Sequence, residues 1–269
     1  MSTIGFIGSG NMAEALIKGT LAAGVCAPPD VFISDVRGER LEELAGRYGI
    51  RPCQANAQVV QQSETVVLSV KPQVMSDALE SIAGQGSEGT LFISIAAGIR
   101  VPKIAATLGE VPIVRVMPNT PALIGEGASA LYANEKAKPL LDKALSVFSA
   151  VGKAVVVADE DLIDAVTAVS GSGPAYFFLL MEAMTEAAVA LGLPSDVARN
   201  LVLQTAKGAG LLAAEADKSG ETPALLRRKV TSPGGTTEAA LKVFTAGGFQ
   251  ELVTDALTAA GDRSRELSG

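Results

Sequence analysis

Gly8-Ser9-Gly10-Asn11-Met12-Ala13 directly follows the strand-like run Thr3-Ile4-Gly5-Phe6-Ile7. A glycine pair placed there permits a tight turn and lets backbone amides approach a pyrophosphate, which then rests on the N-terminus of the next helix. Ala13 stands at the third position, where a small residue lets helix and strand pack closely, and the helix continues through Ala15, Leu16 and Ile17 to Gly24. Glycine turns follow strands in many folds, so the motif alone is weak. Its place at the start of an alternating strand and helix pattern predicts a nicotinamide dinucleotide site. The adenosine ribose should then lie near Ser34-Asp35-Val36-Arg37. Asp35 could accept the ribose hydroxyls of NAD, or Arg37 with Ser34 could neutralise the extra phosphate of NADP. A third reading has Asp35 capping the next helix.

The chain contains no histidine, which removes His triads, His zinc ligands and His acid–base catalysis together. Chemistry must rest on other groups or on a cofactor, and no metal site is expected. Cys26 and Cys53 make neither a metal-ligand spacing nor a disulfide framework and read as packing residues in a reducing compartment.

The elements that must position these residues follow from composition and periodicity. With 269 residues, 48% hydrophobic, one large or two modest domains are expected. The 22 basic against 29 acidic residues leave a net charge of -7, so no nucleic-acid partner is expected. Arg227-Arg228-Lys229 reads as a solvated helix face. No signal peptide precedes the first strand, which makes cytoplasmic residence the default. The apolar stretch from Val166 to Met181 is interrupted by Ser170-Gly171-Ser172-Gly173-Pro174 and is expected to fall short of the roughly 18 to 20 residues of a membrane span. It reads instead as a buried helix at a subunit or domain interface.

Strands are expected at Thr3-Ile7, Asp30-Ser34, Glu64-Val70, Thr90-Ile95, Val111-Val116, Ala128-Tyr132 and Lys153-Val157. Between them, Leu41, Leu44, Ala45 and Tyr48 share one helical face, as do Leu140, Leu141, Ala144, Leu145 and Phe148. After residue 160 the strand signals stop. The fold class is therefore α/β: an N-terminal Rossmann-type, doubly wound parallel sheet over 1–160, followed by an all-helical C-terminal domain over 161–269. The helix over 174–191 carries Phe177, Phe178, Leu179, Leu180, Met181 and Met184 around much of its circumference, more than one core-facing stripe requires. A homodimer through the C-terminal helices is expected.

Further loops sit at the carboxyl edge of the sheet: Val70-Lys71-Pro72-Gln73, Ala96-Ala97-Gly98 and Met117-Pro118-Asn119-Thr120-Pro121. Together with Ser170-Gly171-Ser172-Gly173-Pro174-Ala175-Tyr176 and Ser232-Pro233-Gly234-Gly235-Thr236-Thr237, they make the chain resemble a pyrroline-5-carboxylate reductase over essentially its whole length. That family reduces the cyclic imine Δ1-pyrroline-5-carboxylate to L-proline with NADPH or NADH, the last step of proline biosynthesis. It joins a Rossmann domain to a helical dimerisation domain. The resemblance implies that Ile7, Gly8, Ser9, Gly10, Asn11 and Met12 cradle the pyrophosphate and that Asn56 contacts a cofactor ribose. It implies that Ser69, Val70, Lys71 and Pro72, with Ile95, Ala96 and Ala97, flank the nicotinamide half. It also implies that Ser232, Gly234, Gly235, Thr236 and Thr237 hold the substrate, the Thr237 hydroxyl bonding the imine nitrogen. The assembly would be a homodimer or a higher homo-oligomer such as a decamer. Many members carry a small or amide residue where this chain has Asp35, which leaves NADPH and NADH both open.

The substrate carries a carboxylate, and the 232–237 loop runs into the helix beginning Glu238-Ala239-Ala240-Leu241. Exposed amides of Gly234 to Thr237, backed by the helix dipole, would form an anion site; the plain alternative is an ordinary helix cap. Two rivals remain. A β-hydroxyacid dehydrogenase needs a lysine on the first long helix of its second domain, and none occurs between Lys153 and Lys207. A catalytically silent dinucleotide sensor would have no need of the carboxylate-binding loop.

Overall fold

The β-branched runs form strands where their composition places them, most of them trimmed at the ends. The strands are β1 (Ile4–Ile7), β2 (Val31–Ser34), β3 (Arg51–Pro52), β4 (Thr65–Leu68), β5 (Leu91–Ser94), β6 (Ile113–Met117), β7 (Gly127–Ala133) and β8 (Gly152–Val156). The computed structural model describes residues 3–87 and 89–269. The strand β3 was not expected. Both its residues are exposed, so it has no apolar signal, and Pro52 suits it to a sheet edge.

The strands make one eight-stranded sheet in the order β3-β2-β1-β4-β5-β6-β7-β8. The expected all-parallel sheet needs one correction, because β6 and β7 pair antiparallel while every other pairing is parallel. Between Met117 and Gly127 lies only the 3-10 turn Thr120–Ile124. That is too short for the crossover of about a dozen residues or more that a parallel return requires. The order reverses at β1, whose neighbours are β2 and β4. Doubly wound sheets open their ligand crevice at such a switch point, beyond the carboxyl ends of the strands.

Alternation along the strands divides the core between the two faces of the sheet. Ile4 and Phe6 of β1, Val67 of β4 and Ile93 of β5 face one cluster with Leu16, Leu44 and Phe148. Ile7, Val66, Leu68 and Phe92 face another with Val59, Leu79 and Ile104. The covering helices are α1 (Asn11–Ala22), α2 (Gly38–Tyr48), α3 (Asn56–Gln62), α4 (Met75–Glu80), α5 (Val101–Leu108) and α6 (Leu141–Ser149). Strands buried on both sides are continuous apolar runs, which is why they were legible.

Beyond β8 the chain is helical: α7 (Leu162–Val166), α8 (Gly173–Ala190), α9 (Ser195–Asp217), α10 (Pro223–Lys229), α11 (Thr236–Ala246) and α12 (Phe249–Ser268). Packing divides the chain into two units, one of residues up to Pro174 together with Ala259–Gly269, the other Ala175–Thr258. The first unit thus extends past the end of the strands and takes in the last residues of the chain.

At the expected break, Ser170-Gly171-Ser172-Gly173-Pro174, the regular α-helix is interrupted by a π turn and a bend at Ser172, but the helix does not end. A π turn, Thr167–Gly171, joins α7 to α8, so that Leu162–Ala190 is a single helix. By length and composition it is long and apolar enough to cross a membrane, contrary to expectation. Pro174 lacks an N–H and cannot bond the Ser170 carbonyl. The Ser172 amide reaches back to the Thr167 carbonyl at 2.8 Å, and Asn119 Nδ2 donates to the freed Ser170 carbonyl at 3.0 Å. Side-chain donation of this kind keeps a helix running through a residue that would otherwise stop it.

Within the chain, the second unit buries little. In α9 only Ala198 and Val202 are buried, and α11 buries nothing. Phe177 is 65% exposed and Leu179 67% exposed, so the expectation of a buried helix is not met within one chain.

Candidate active site

At the end of β1 the backbone must turn sharply out of the sheet, and Gly8 does so with φ 92°. A Cβ there would stand 2.9 Å from the Ser69 carbonyl oxygen, so close approach of β4 also demands glycine. The Gly8 amide donates to the Ser34 carbonyl at 2.8 Å and the Ser69 amide to the Ile7 carbonyl at 2.9 Å. The Ser69 hydroxyl returns to the Gly8 carbonyl at 2.7 Å. The turn is thereby fastened to both neighbouring strands.

Gly10 serves a different need. It caps α1 in extended conformation without a side-chain cap, and a Cβ on it would meet no atom within 4 Å. Among the described residues, none crowds this position so as to require glycine. The space it leaves open lies over the first amides of α1, as a pyrophosphate cradle requires. A cleft of about 750 Å³ runs along this turn, and a smaller one of about 310 Å³ adjoins it.

The larger cleft gathers Ile7, Gly8, Ser9, Gly10, Asn11, Ser34, Asp35, Arg37, Asn56, Ser69, Val70 and Lys71. The smaller one adds Met12, Pro72, Ile95, Ala96 and Ala97. Every residue expected at the cofactor is therefore brought to one edge of the sheet. Sequence reading missed Val74, Asp77 and Ala78, which share the larger cleft with Val36 of the segment expected near the ribose. Their types carry no signal for such a place. Met117 and Pro118 of the smaller cleft belong to a motif noted for its position after a strand.

The adenosine end differs from expectation in its bonding. Asp35 does not cap α2, whose N-cap is Arg37 without a side-chain bond. Its Oδ2 accepts the Ser9 amide at 2.7 Å, and its Oδ1 accepts the Arg37 amide and Nε, each at 3.0 Å. Arg37 Nη2 completes the fork at 3.2 Å. Burial works against the charge, yet the bonds from Arg37 and the Ser9 amide hold the Asp35 carboxyl below its usual range. Ser34 lines the same cleft, although it is largely buried, and its hydroxyl donates to Asn56 Oδ1 at 2.7 Å. The Asn56 amide in turn donates to Ser81 at 2.9 Å. Arg40, unforeseen in sequence, holds the turn from the other side through the Ser9 carbonyl at 3.0 Å.

Burial pushes the thiols of Cys26 and Cys53 up. Burial thus favours the neutral thiol over the nucleophilic thiolate at both.

In the second unit, the Ser232–Thr237 segment opens α11. Its N-cap is Gly235, without a side-chain bond, so the ordinary Ser or Thr cap is not what is built here. The expectation that all amides from Gly234 to Thr237 are free is corrected. Gly234 N donates to Glu238 Oε2 at 2.6 Å, and Gly235 N to the Ser232 carbonyl at 3.0 Å. A chain entering a helix through glycines satisfies its outer amides locally; those of Thr236 and Thr237, inside the first turn, have no acceptor within the helix. Thr245, farther along α11, bonds back to the Leu241 carbonyl at 2.9 Å. Thr237 has no helical carbonyl one turn behind it to use in that way.

A doubly wound sheet whose switch point opens on a glycine cradle, followed by a helical segment, defines a nicotinamide-dependent oxidoreductase of the Rossmann class. Residues 3–98 match the family model of NADP oxidoreductases, coenzyme F420-dependent, and residues 160–267 match that of pyrroline-5-carboxylate reductase dimerisation. A pyrroline-5-carboxylate reductase of Pseudomonas aeruginosa is 50% identical, covering 100% of this chain and 98% of that protein. The solved pyrroline-5-carboxylate reductase of Coxiella burnetii superimposes with a TM-score of 0.92 at 41% identity, over 100% of this chain and 99% of that one. A Plasmodium falciparum pyrroline carboxylate reductase solved with NADP bound gives 0.86 at 29% identity, over 100% and 98%. The chain belongs to the pyrroline-5-carboxylate reductase family. It is an NAD(P)H-dependent oxidoreductase acting on a C=N bond in the last step of proline biosynthesis, with a dimerisation domain that makes it a homo-oligomer. The hydroxyacid dehydrogenase and silent sensor readings are set aside.

Proposed function

We propose that the imine of Δ1-pyrroline-5-carboxylate is held and oriented at the start of α11. The observation that carries this reading is a helix start capped by glycine rather than by a side chain, with Thr237 in its first turn. The amides of Thr236 and Thr237, favoured by the helix dipole, receive the substrate carboxylate. Ser232, Gly234 and Gly235 shape the approach, and the Thr237 hydroxyl bonds the imine nitrogen.

When bound, the reduced nicotinamide supplies the hydride that turns the imine carbon into that of L-proline. A protonated imine becomes an amine directly, so the protein has no alkoxide to stabilise and needs no strong base. A chain without histidine suffices, and catalysis rests on proximity and orientation.

Gly8 to Met12 with Ile7 cradle the pyrophosphate, and Ser69 to Pro72 with Ile95 to Ala97 flank the nicotinamide half. Asn56 reaches the ribose region together with Ser34, whose hydroxyl it orients. Asp35 is occupied by Ser9 and Arg37, so its part is to aim Arg37, whose exposed face receives the extra phosphate of NADPH. Residues 1–160 serve as the cofactor domain and 161–269 as the dimerisation and substrate domain. The assembly is a homodimer through the C-terminal helices, able to build a decamer, in the cytoplasm. The exposed Phe177, Phe178 and Leu179 support such pairing.

The test is to follow loss of NADPH or NADH absorbance with pyrroline-5-carboxylate, for the native chain and Thr237→Ala. The variant should lose about tenfold or more in kcat, the worth of one hydrogen bond, with unaltered cofactor affinity. Unchanged turnover would remove Thr237 from the mechanism.

A further inference from the structure

Two buried carboxylates lie one turn apart where α7 begins, Glu160 at 7% exposure and Asp164 at 2%, and neither belongs to the cofactor or substrate residues. A carboxylate stays buried only where charges or hydrogen bonds hold it, so its partners indicate its purpose. Glu160 Oε1 accepts the Val101 amide at 2.8 Å and Arg115 Nη1 at 3.0 Å. Val101 is the first residue of α5, directly after the loop that leaves β5, and Arg115 is buried on β6. Arg100, the N-cap of α5, pairs with the neighbouring Asp161.

Asp164 faces the other way. Its Oδ1 accepts the hydroxyls of Ser264 at 2.6 Å and Ser268 at 3.3 Å, both in the last turns of α12. Those turns end against the same loop. Gly98 has φ 72°, and a Cβ on it would stand 2.8 Å from the Leu267 carbonyl oxygen, so the end of α12 rests directly on the loop backbone. The segment from Ile95 to Val101 is thus gripped at Gly98 through Asp164 and α12, and at Val101 through Glu160.

We propose that Asp164 is a positioning residue for hydride transfer: working against the fixed end that Glu160 makes at Val101, it holds Ile95, Ala96 and Ala97 at the depth where they back the nicotinamide. The proposal rests on the placement of the nicotinamide beside Ile95–Ala97 given above. Small misplacements of a reacting group change rates steeply, so release of the Asp164 grip registers in kinetics as well as in stability.

The experiment measures kcat, the KM for NAD(P)H, the KM for the imine and Tm in Asp164→Ala, Asp164→Asn, the double variant Ser264→Ala with Ser268→Ala, and Ala97→Leu. Asp164→Ala should raise the KM for NAD(P)H or lower kcat by roughly tenfold while the KM for the imine holds. Asp164→Asn, which keeps an acceptor oxygen for Ser264, should restore most of the loss. Should Asp164→Ala not fold, the double serine variant leaves the carboxylate in place and carries the same expectation. A lowered Tm with unaltered kinetics in either variant assigns Asp164 a purely structural part and overturns the proposal. An unchanged KM for NAD(P)H in Ala97→Leu overturns the nicotinamide placement and the proposal with it. A raised one beside a kinetically silent Asp164→Ala overturns the positioning part alone.

Discussion

The Asp35 carboxylate accepts the Ser9 amide at 2.7 Å, tying the end of β2 to the glycine turn. The same carboxylate takes Arg37 by its amide and its guanidinium. A carboxylate offers about four acceptor sites, and here Ser9 and Arg37 fill them. Arg37 keeps its remaining N–H groups on a side chain 60% exposed.

Arg37→Ala should therefore raise the KM for NADPH by about tenfold to a hundredfold, the worth of charge-assisted hydrogen bonds, and leave the KM for NADH nearly unaltered. Initial rates with the two cofactors measure this directly. An equal effect on both would show that Arg37 does not meet the extra phosphate.

Acid should weaken the first unit through two carboxylates. Burial opposes the charge of Glu14, yet Arg40, Tyr48 and Arg47 hold its pKa below the usual value, as Arg37 and the Ser9 amide do for Asp35. A depressed folded pKa means that the stabilisation is complete above the unfolded value of about 4 and is lost as pH falls through the folded pKa. Thermal unfolding between pH 7 and pH 3 should show a Tm that holds to about pH 5 and then declines. Asp35→Asn should lower the plateau and flatten the decline.

The two glycines of the turn should separate structure from binding. Gly8→Ala forces a side chain into φ 92° against the Ser69 carbonyl and should cost about 1–3 kcal/mol of stability, read as a fall in Tm. Gly10→Ala would place its Cβ more than 4 Å from any non-neighbouring atom of the described residues and should leave Tm unaltered while weakening NAD(P)H binding by about tenfold or more. Loss of stability in the second variant with normal binding would contradict the cradle.

Phe177 is 65% exposed and Phe178 61% exposed on a helix that is apolar around its circumference. Sedimentation at micromolar concentration should show a dimer or a larger assembly for the native chain, and smaller species when both residues are replaced by aspartate. A stable native monomer would refute the assembly.

By itself the sequence determined most of the strands, because strands covered on both faces are continuous apolar runs, but not the exposed β3 or the antiparallel β6–β7 pairing. It also determined the glycine turn, because a pyrophosphate leaves no room for side chains. Motif resemblance placed the family. Tertiary structure alone decided what depends on pairing between distant residues. In the sequence Asp35 and Arg37 leave two cofactor readings open, and only packing turns the carboxylate onto Ser9 and leaves the guanidinium exposed. The run through Pro174 looked like a break, and it continues as helix because Asn119, far away in sequence, bonds the freed carbonyl. Of the loop before α11, the glycines were legible, yet which amides remained open depended on Glu238 folding back onto Gly234. Glu160 and Asp164 gave no signal at all, since a buried carboxylate is written like an exposed one and only its partners tell the two apart.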